Sequence, residues 1–151
     1  MATSSFLSFI SRWLTFSSSS KAYVQVDGLA SYYTAHTPSA CYGYEDHGVM
    51  IAAASEAIFN NGAACGQYYQ VTCKSGTNAG TPFPCWGSGA VVVKIVDRCP
   101  DGCRSTIDLS QEAFASIADP NSGVINISYQ QHIFFDCIFH GLKDASRIRS
   151  S

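Results

Sequence analysis

Val91-Val92-Val93-Lys94-Ile95-Val96-Asp97-Arg98-Cys99-Pro100-Asp101-Gly102-Cys103-Arg104-Ser105-Thr106-Ile107-Asp108-Leu109 is the stretch on which the fold turns. Its β-branched run predicts a buried strand from Val91 to Val96. The strand ends in Asp97-Arg98, and a Pro/Gly loop bracketed by Cys99 and Cys103 returns the chain through Thr106-Ile107-Asp108-Leu109. Two carboxylates, Asp97 and Asp108, are thereby expected at the ends of neighbouring strands. The cysteine spacing can pin the turn between them.

Outward from that unit, the whole chain has the composition of one globular domain. It holds 151 residues, 46% hydrophobic and 13% charged, with seven cysteines. So many cysteines in a short chain point to a disulfide scaffold and an oxidising compartment. Cys137 stands apart from the other six and is the odd one. The formal net charge is −2, but residues 23–130 carry four Lys/Arg against nine Asp/Glu, a net of −5. Such a domain lacks the basic footprint of a nucleic-acid binder and would repel acidic lipids and polyuronates. Neutral partners stay open, and a monomer is expected.

Residues 1–22 read as a signal peptide. Phe6, Leu7, Phe9, Ile10, Trp13, Leu14 and Phe16 supply the apolar region, and Ser20-Lys21-Ala22 offers a cleavage site after Ala22. No Lys or Arg precedes the apolar stretch, and Arg12 interrupts it. It is too short to span a bilayer, so no membrane insertion is expected.

Further along, Gly28–Thr34 is expected as a strand, His36–Gly48 as a loop, and the alanine-rich Val49–Phe59 as a helix stopped by Asn60-Asn61-Gly62. Gln67–Cys73 alternates as a half-buried strand does, with Tyr69, Val71 and Cys73 on one face. Lys74–Gly89 is a Gly/Pro-rich loop. Ser110 is the expected N-cap of a helix over Gln111–Ala118, ended by Asp119-Pro120, and Val124–Tyr129 is a last strand. Residues 131–151 are an atypical tail holding Cys137.

These segments carry a family pattern. Ala30-Ser31-Tyr32-Tyr33-Thr34, Ser39-Ala40-Cys41-Tyr42-Gly43-Tyr44, Phe59-Asn60-Asn61-Gly62 with Cys65-Gly66, Val96-Asp97-Arg98-Cys99-Pro100 and Thr106-Ile107-Asp108-Leu109-Ser110 occur in order from about Gly28 to Gln130. The stretch resembles the plant EG45-like domain proteins, or plant natriuretic peptides, which are related to barwin and to the first domain of expansins. The resemblance implies an all-β fold with short helices: a six-stranded double-psi β-barrel over residues 23–130, stapled by disulfides. By analogy with the expansin barrel it pairs Cys41 with Cys65, Cys73 with Cys85, and Cys99 with Cys103. Zinc at Cys99 and Cys103 is disfavoured, because no His lies at ligand spacing beside them. The four histidines are scattered, and neither metal nor cofactor is expected.

The resemblance singles out Asp108, which matches the acid of expansins and of related endoglucanases. Inverting hydrolysis needs a second carboxylate to activate water. At the position of the endoglucanase base this chain reads Tyr33-Thr34-Ala35, and Ala53-Ala54-Ser55 stands where the lytic transglycosylases carry a helix His. Thr106 replaces the expansin His, which leaves Asp97 as the remaining candidate base. No catalytic residue is therefore assigned, and the protein is expected not to be an enzyme. A capping or buried hydrogen-bond role is the bland alternative for both aspartates, Asp108 lying two residues before the N-cap.

The candidate groove is Ser31, Tyr33, Trp86, Asp97 and Asp108. Paired tyrosines on a strand face opposite ways, so only one of Tyr32 and Tyr33, and one of Tyr68 and Tyr69, can line it. Asn126-Ile127-Ser128 is a glycosylation sequon on an expected strand. The expected function is that of a secreted, non-enzymatic apoplastic protein of natriuretic-peptide type, acting on water and solute balance or stress signalling through a membrane receptor. The alternative is a wall-modifying module that binds a neutral cell-wall glycan in a shallow groove around Asp108.

Overall fold

The computed structural model describes residues 24–133; the leader expected at 1–22, and the tail from residue 134 onward with Cys137, lie outside them. In chain order the elements are β1 (Val26–Tyr33), β2 (Ile51–Ala54), α1 (Glu56–Phe59), β3 (Tyr68–Gly76), β4 (Ala90–Arg98), β5 (Ile107–Ser110), α2 (Gln111–Ile117) and β6 (Ile125–His132). The strands close into a barrel in the order β1-β5-β2-β4-β3-β6. The β1·β5 and β2·β4 pairs are parallel and the other four antiparallel. This is the double-psi barrel that the resemblance implied. The barrel runs to His132, which pairs with Tyr68, so the last strand passes the boundary expected at residue 130.

Alternation along the strands sets the core. Ala30, Val71, Val93, Ile95, Ile107, Leu109, Ile125 and Ile127 turn inward and are essentially fully buried. The wholly buried Phe114 comes in from α2, with the Tyr32 ring tilted against it at 5.0 Å. Disulfides join Cys41 to Cys65, Cys73 to Cys85, and Cys99 to Cys103. Each such bridge typically contributes about 2–4 kcal/mol.

The segment expected as one helix, Val49–Phe59, divides instead into β2 and the single turn of α1. Alanine favours helices by propensity, but here it fills a slot hydrogen-bonded on both edges, antiparallel to β5 and parallel to β4. All four residues of β2 are buried, so no polar-apolar alternation marks the strand in the sequence. The stop signal does act, since Asn60 and Asn61 both take left-handed φ, 45° and 53°. At α2 the expected cap is in place: Ser110 Oγ accepts from the Ala113 amide at 3.0 Å.

Two local devices shape the region of the aspartates. Opposite β2 the register of β4 slips, so that Ala52 pairs with Ile95 and Ala53 with Asp97. Val96 is the extra residue of this bulge. It is buried like Ile95, and its carbonyl accepts from the Cys41 amide at 3.0 Å. Where β1 crosses the segment before β5, a Cβ on Gly28 would lie 2.6 Å from Thr106 Oγ1. The same hydroxyl accepts from the Leu29 amide, and the Thr106 amide donates to the Leu29 carbonyl. Thr106, standing where expansins carry His, is here a backbone clamp.

Truncating Phe114→Ala is expected to cost about 3–5 kcal/mol and Ser110→Ala about 1 kcal/mol. Urea unfolding of the full chain measures both. If the two costs were equal, the core assignment of Phe114 would be wrong.

Candidate functional site

One register row crosses the barrel wall. Ser31 of β1 pairs with Asp108 of β5, Asp108 with Ala53 of β2, and Ala53 with Asp97 of β4. The aspartates therefore do not sit on neighbouring strands as expected. β2 lies between them, because the connection through Cys99–Cys103 passes over it, and two strand spacings put their Cα atoms about 10 Å apart. The Val96 bulge brings Asp97 into this row; unshifted pairing would place Val96 there. Ala30, Tyr32, Ala52, Ala54, Ile107 and Leu109 pack in the core, so the row belongs to the outer face.

The two carboxylates are held differently. Asp97 Oδ1 accepts from the Ala40 and Arg98 amides, each at 2.8 Å, tying the 36–48 loop to β4. Asp108 Oδ1 accepts from Ser31 Oγ at 2.5 Å, and Ser31 Oγ lies 2.7 Å from Ser105 Oγ. The α2 cap is made by Ser110, and among the described residues the donor on Asp108 is Ser31. Partial burial raises the Asp108 pKa above the ordinary carboxylate value, and the Ser31 hydrogen bond works against that rise. Neither carboxylate shows a donor on Oδ2 among the described residues.

Tyr33 shares the outer face with Ser31. Burial pushes its phenol pKa well above normal, reinforced by the negative charges of Asp97 and then Asp108. Its ring meets His36 edge-on at 5.5 Å, and its buried hydroxyl has no hydrogen-bond partner among the described residues. Tyr32 points into the core and Tyr33 outward, as alternation requires. Trp86 is 45% exposed, but its indole N–H donates to the Ala115 carbonyl and its amide to that of Ile117. These bonds place it along the C-terminal half of α2. Asn126, the sequon residue, donates to Ser75 Oγ and the Gly76 carbonyl.

The 36–48 loop forms one wall beside the row. Lys94 Nζ lies 3.0 Å from His47 Nδ1 and 4.6 Å from the Tyr42 ring centre. An ammonium can only donate, so Nδ1 accepts, and in the neutral ring the proton sits on Nε2, 3.4 Å from Glu45. Sequence reasoning missed Ala53 and Ser105. Ala53 matters only through register, and Ser105 carries no motif of its own.

Residues 51–129 match the family model described as lytic transglycolase. The chain is 58% identical over 114 residues to an EG45-like domain containing protein of Citrus jambhiri, covering 75% of this chain and 86% of that one. A putative EG45-like domain containing protein 1 of Arabidopsis thaliana is 54% identical over 102 residues, covering 68% and 80%. Among solved structures, the apo expansin of Clavibacter michiganensis superposes with TM-score 0.57 at 28% identity, covering 73% of this chain. A mutant of it in complex with cellohexaose gives TM-score 0.55 at 26% identity, again covering 73% of this chain. In both structures the match spans only 51% of the expansin chain. Fold and site together define a disulfide-stapled double-psi barrel of expansin type. The chain belongs to the EG45-like domain containing proteins.

A raised acid pKa means that the folded state holds the Asp108 proton more tightly than the unfolded chain does. That stability is complete below the unfolded pKa and is lost as pH rises through the folded one. Asp108→Asn keeps an acceptor for Ser31 and removes the ionisation. It is expected to melt above the wild type at pH 7, with the gap closing as pH falls toward ~3. Calorimetry at the two pH values measures this, and a gap that widened in acid would refute the assigned environment.

Proposed function

We propose that the protein acts outside the cell as a non-hydrolytic recognition module of the plant wall, taking a neutral glycan along the Ser31–Asp108–Ala53–Asp97 row. The observation that carries this reading is the pair of carboxylates flanking a small-residue floor, each with no donor on Oδ2 among the described residues. Sugar hydroxyls donate well to such acceptors, and a neutral chain meets no repulsion from the acidic domain. The cellohexaose complex of the bacterial expansin supports a neutral β-glucan as the ligand class. Ser31, Asp97 and Asp108 are the binding residues proposed, with Tyr33 at the edge.

Hydrolysis is not part of the proposal. Asp97, the candidate base, has Oδ1 taken up by two backbone amides that tie the 36–48 loop to β4. Asp108, with its raised pKa, retains the character of an acid without a partner to activate water.

A natriuretic-peptide-type signal through a membrane receptor is the second reading. The chain covers 86% of the Citrus EG45-like protein but 51% of the bacterial expansin. What the rest of the expansin does is therefore not carried over.

Pull-down on insoluble β-glucan is expected to retain the wild type and to lose Asp108→Ala by about tenfold or more in affinity, given ~1.5–3 kcal/mol for a hydrogen bond to a charged group. Equal retention of the variant would remove the groove. No retention of either, with protoplast swelling intact, would select the signalling reading. Sugar release from β-glucan by the pure protein would overturn the non-hydrolytic assignment.

A further inference from the structure

Behind Asp108 lies a chain of contacts that leads away from the outer face to the Cys99–Cys103 bridge. Ser105 is 5% exposed and central to it. Its hydroxyl lies 2.7 Å from Ser31 Oγ, 3.1 Å from Cys103 Sγ and 3.9 Å from Cys99 Sγ. Ser31 has one hydroxyl proton, and it is on Asp108 Oδ1. The 2.7 Å contact therefore has Ser105 as donor and Ser31 as acceptor. Ser105 in turn has no proton left for sulfur and presents lone pairs to Cys103. A disulfide sulfur carries no proton to offer them, so in the oxidised protein the chain of donors begins at Ser105.

We propose that Cys103, Ser105 and Ser31 form one relay that transmits the oxidation state of the Cys99–Cys103 bridge to the Asp108 carboxyl, with Ser105 as its positioning residue. The proposal deepens the reading of Asp108 as the ligand-facing acid and rests on it.

Two features separate this bridge from the others. Cys41, Cys65, Cys73 and Cys85 all belong to or pack against the main hydrophobic cluster, whereas Cys103 and the buried Cys99 stand outside that cluster. They line an open cavity of about 360 Å³, with Ser55, Glu56, Arg98 and Asp101 around it. The bridge also spans a sequence separation of 4, against 24 and 12 for the others. Opening so short a loop returns less chain entropy to the unfolded state than opening either of the other two, and with those two intact the barrel is expected to survive its reduction.

The co-reactant is a dithiol. Its thiolate attacks Cys103 Sγ, the S–S bond breaks, and Cys99 leaves as a thiolate that takes a proton. The second thiol of the reductant then displaces Cys103, which leaves as a thiol. Two electrons and two protons pass to the protein, and the reductant ends as a disulfide. Cys103 now carries an S–H beside the Ser105 lone pairs and donates to them. Each added donor polarises the next, so Ser31 binds the Asp108 carboxylate more strongly. Tyr33 from β1 lies near the same carboxyl and Asp97 stands two strands away on β4, both unaltered by the change, while Ala53 of β2 is uncharged.

The test is a carbon-detected NMR titration of the Asp108 carboxyl in the full chain. It compares the oxidised protein with protein reduced by dithiothreitol, the opened bridge being identified by alkylation and mass spectrometry. Reduction of Cys99–Cys103 is expected to lower the Asp108 pKa by about a few tenths of a unit. Two double variants keep the test independent of selective reduction: Cys99→Ala with Cys103→Ser, which supplies a hydroxyl donor, and Cys99→Ala with Cys103→Ala, which supplies none. The first should titrate below the second, and adding Ser105→Ala to both should abolish the difference. Identical titrations in the first two, or a difference that persists without Ser105, would overturn the relay. Glycan retention is not the readout, so a relay that fails here leaves the glycan reading standing, and an unbound glycan leaves the relay measurable.

Discussion

The barrel depends on main-chain hydrogen bonding at both edges of Ile51–Ala54. This strand of four residues joins β5 on one side to β4 on the other, and without it the six strands could not close. A buried peptide group left unpaired is costly, so a segment in this slot is held as a strand whatever its intrinsic preference. The side chains must then be small or apolar on both faces, and Ile-Ala-Ala-Ala meets that requirement.

The layout of the aspartate row follows from the same constraint. Since β2 separates β4 from β5, the aspartates end about two strand spacings apart with Ala53 as the floor between them. Their environments also diverge. Asp97 is satisfied by two backbone amides and serves as a strut for the 36–48 loop. Asp108 is more desolvated and rests on a single serine donor. Two identical side chains thus sit differently: one ties a loop to its strand, and the other is a partly buried acid at the end of a serine chain.

The bridges divide in a similar way. Two of them fasten loops onto the hydrophobic core, and the third sits outside it, beside the serines that reach Asp108. A staple inside the core mainly restricts the unfolded chain. One next to a hydrogen-bonded network also changes which donors that network has.

Much of this was legible in the residues. The β-branched run at Val91, the alternation over Tyr69, Val71 and Cys73, the Ser110 cap and the Asn60-Asn61-Gly62 stop each act through neighbours a few positions away. Periodicity and propensity therefore determined β3, β4, α2 and the end of α1. The order of motifs from Ala30 to Ser110 supplied the family resemblance, and with it the barrel and the cysteine pairs. Only the tertiary structure decided that Val49–Phe59 would be half strand, that the Val96 bulge would bring Asp97 into the Asp108 row, and that the Trp86 indole would bond to α2. It alone placed Ser105 between a disulfide and an acid. Those outcomes rest on pairing between strands distant in sequence, and no local pattern records the register in which such strands meet.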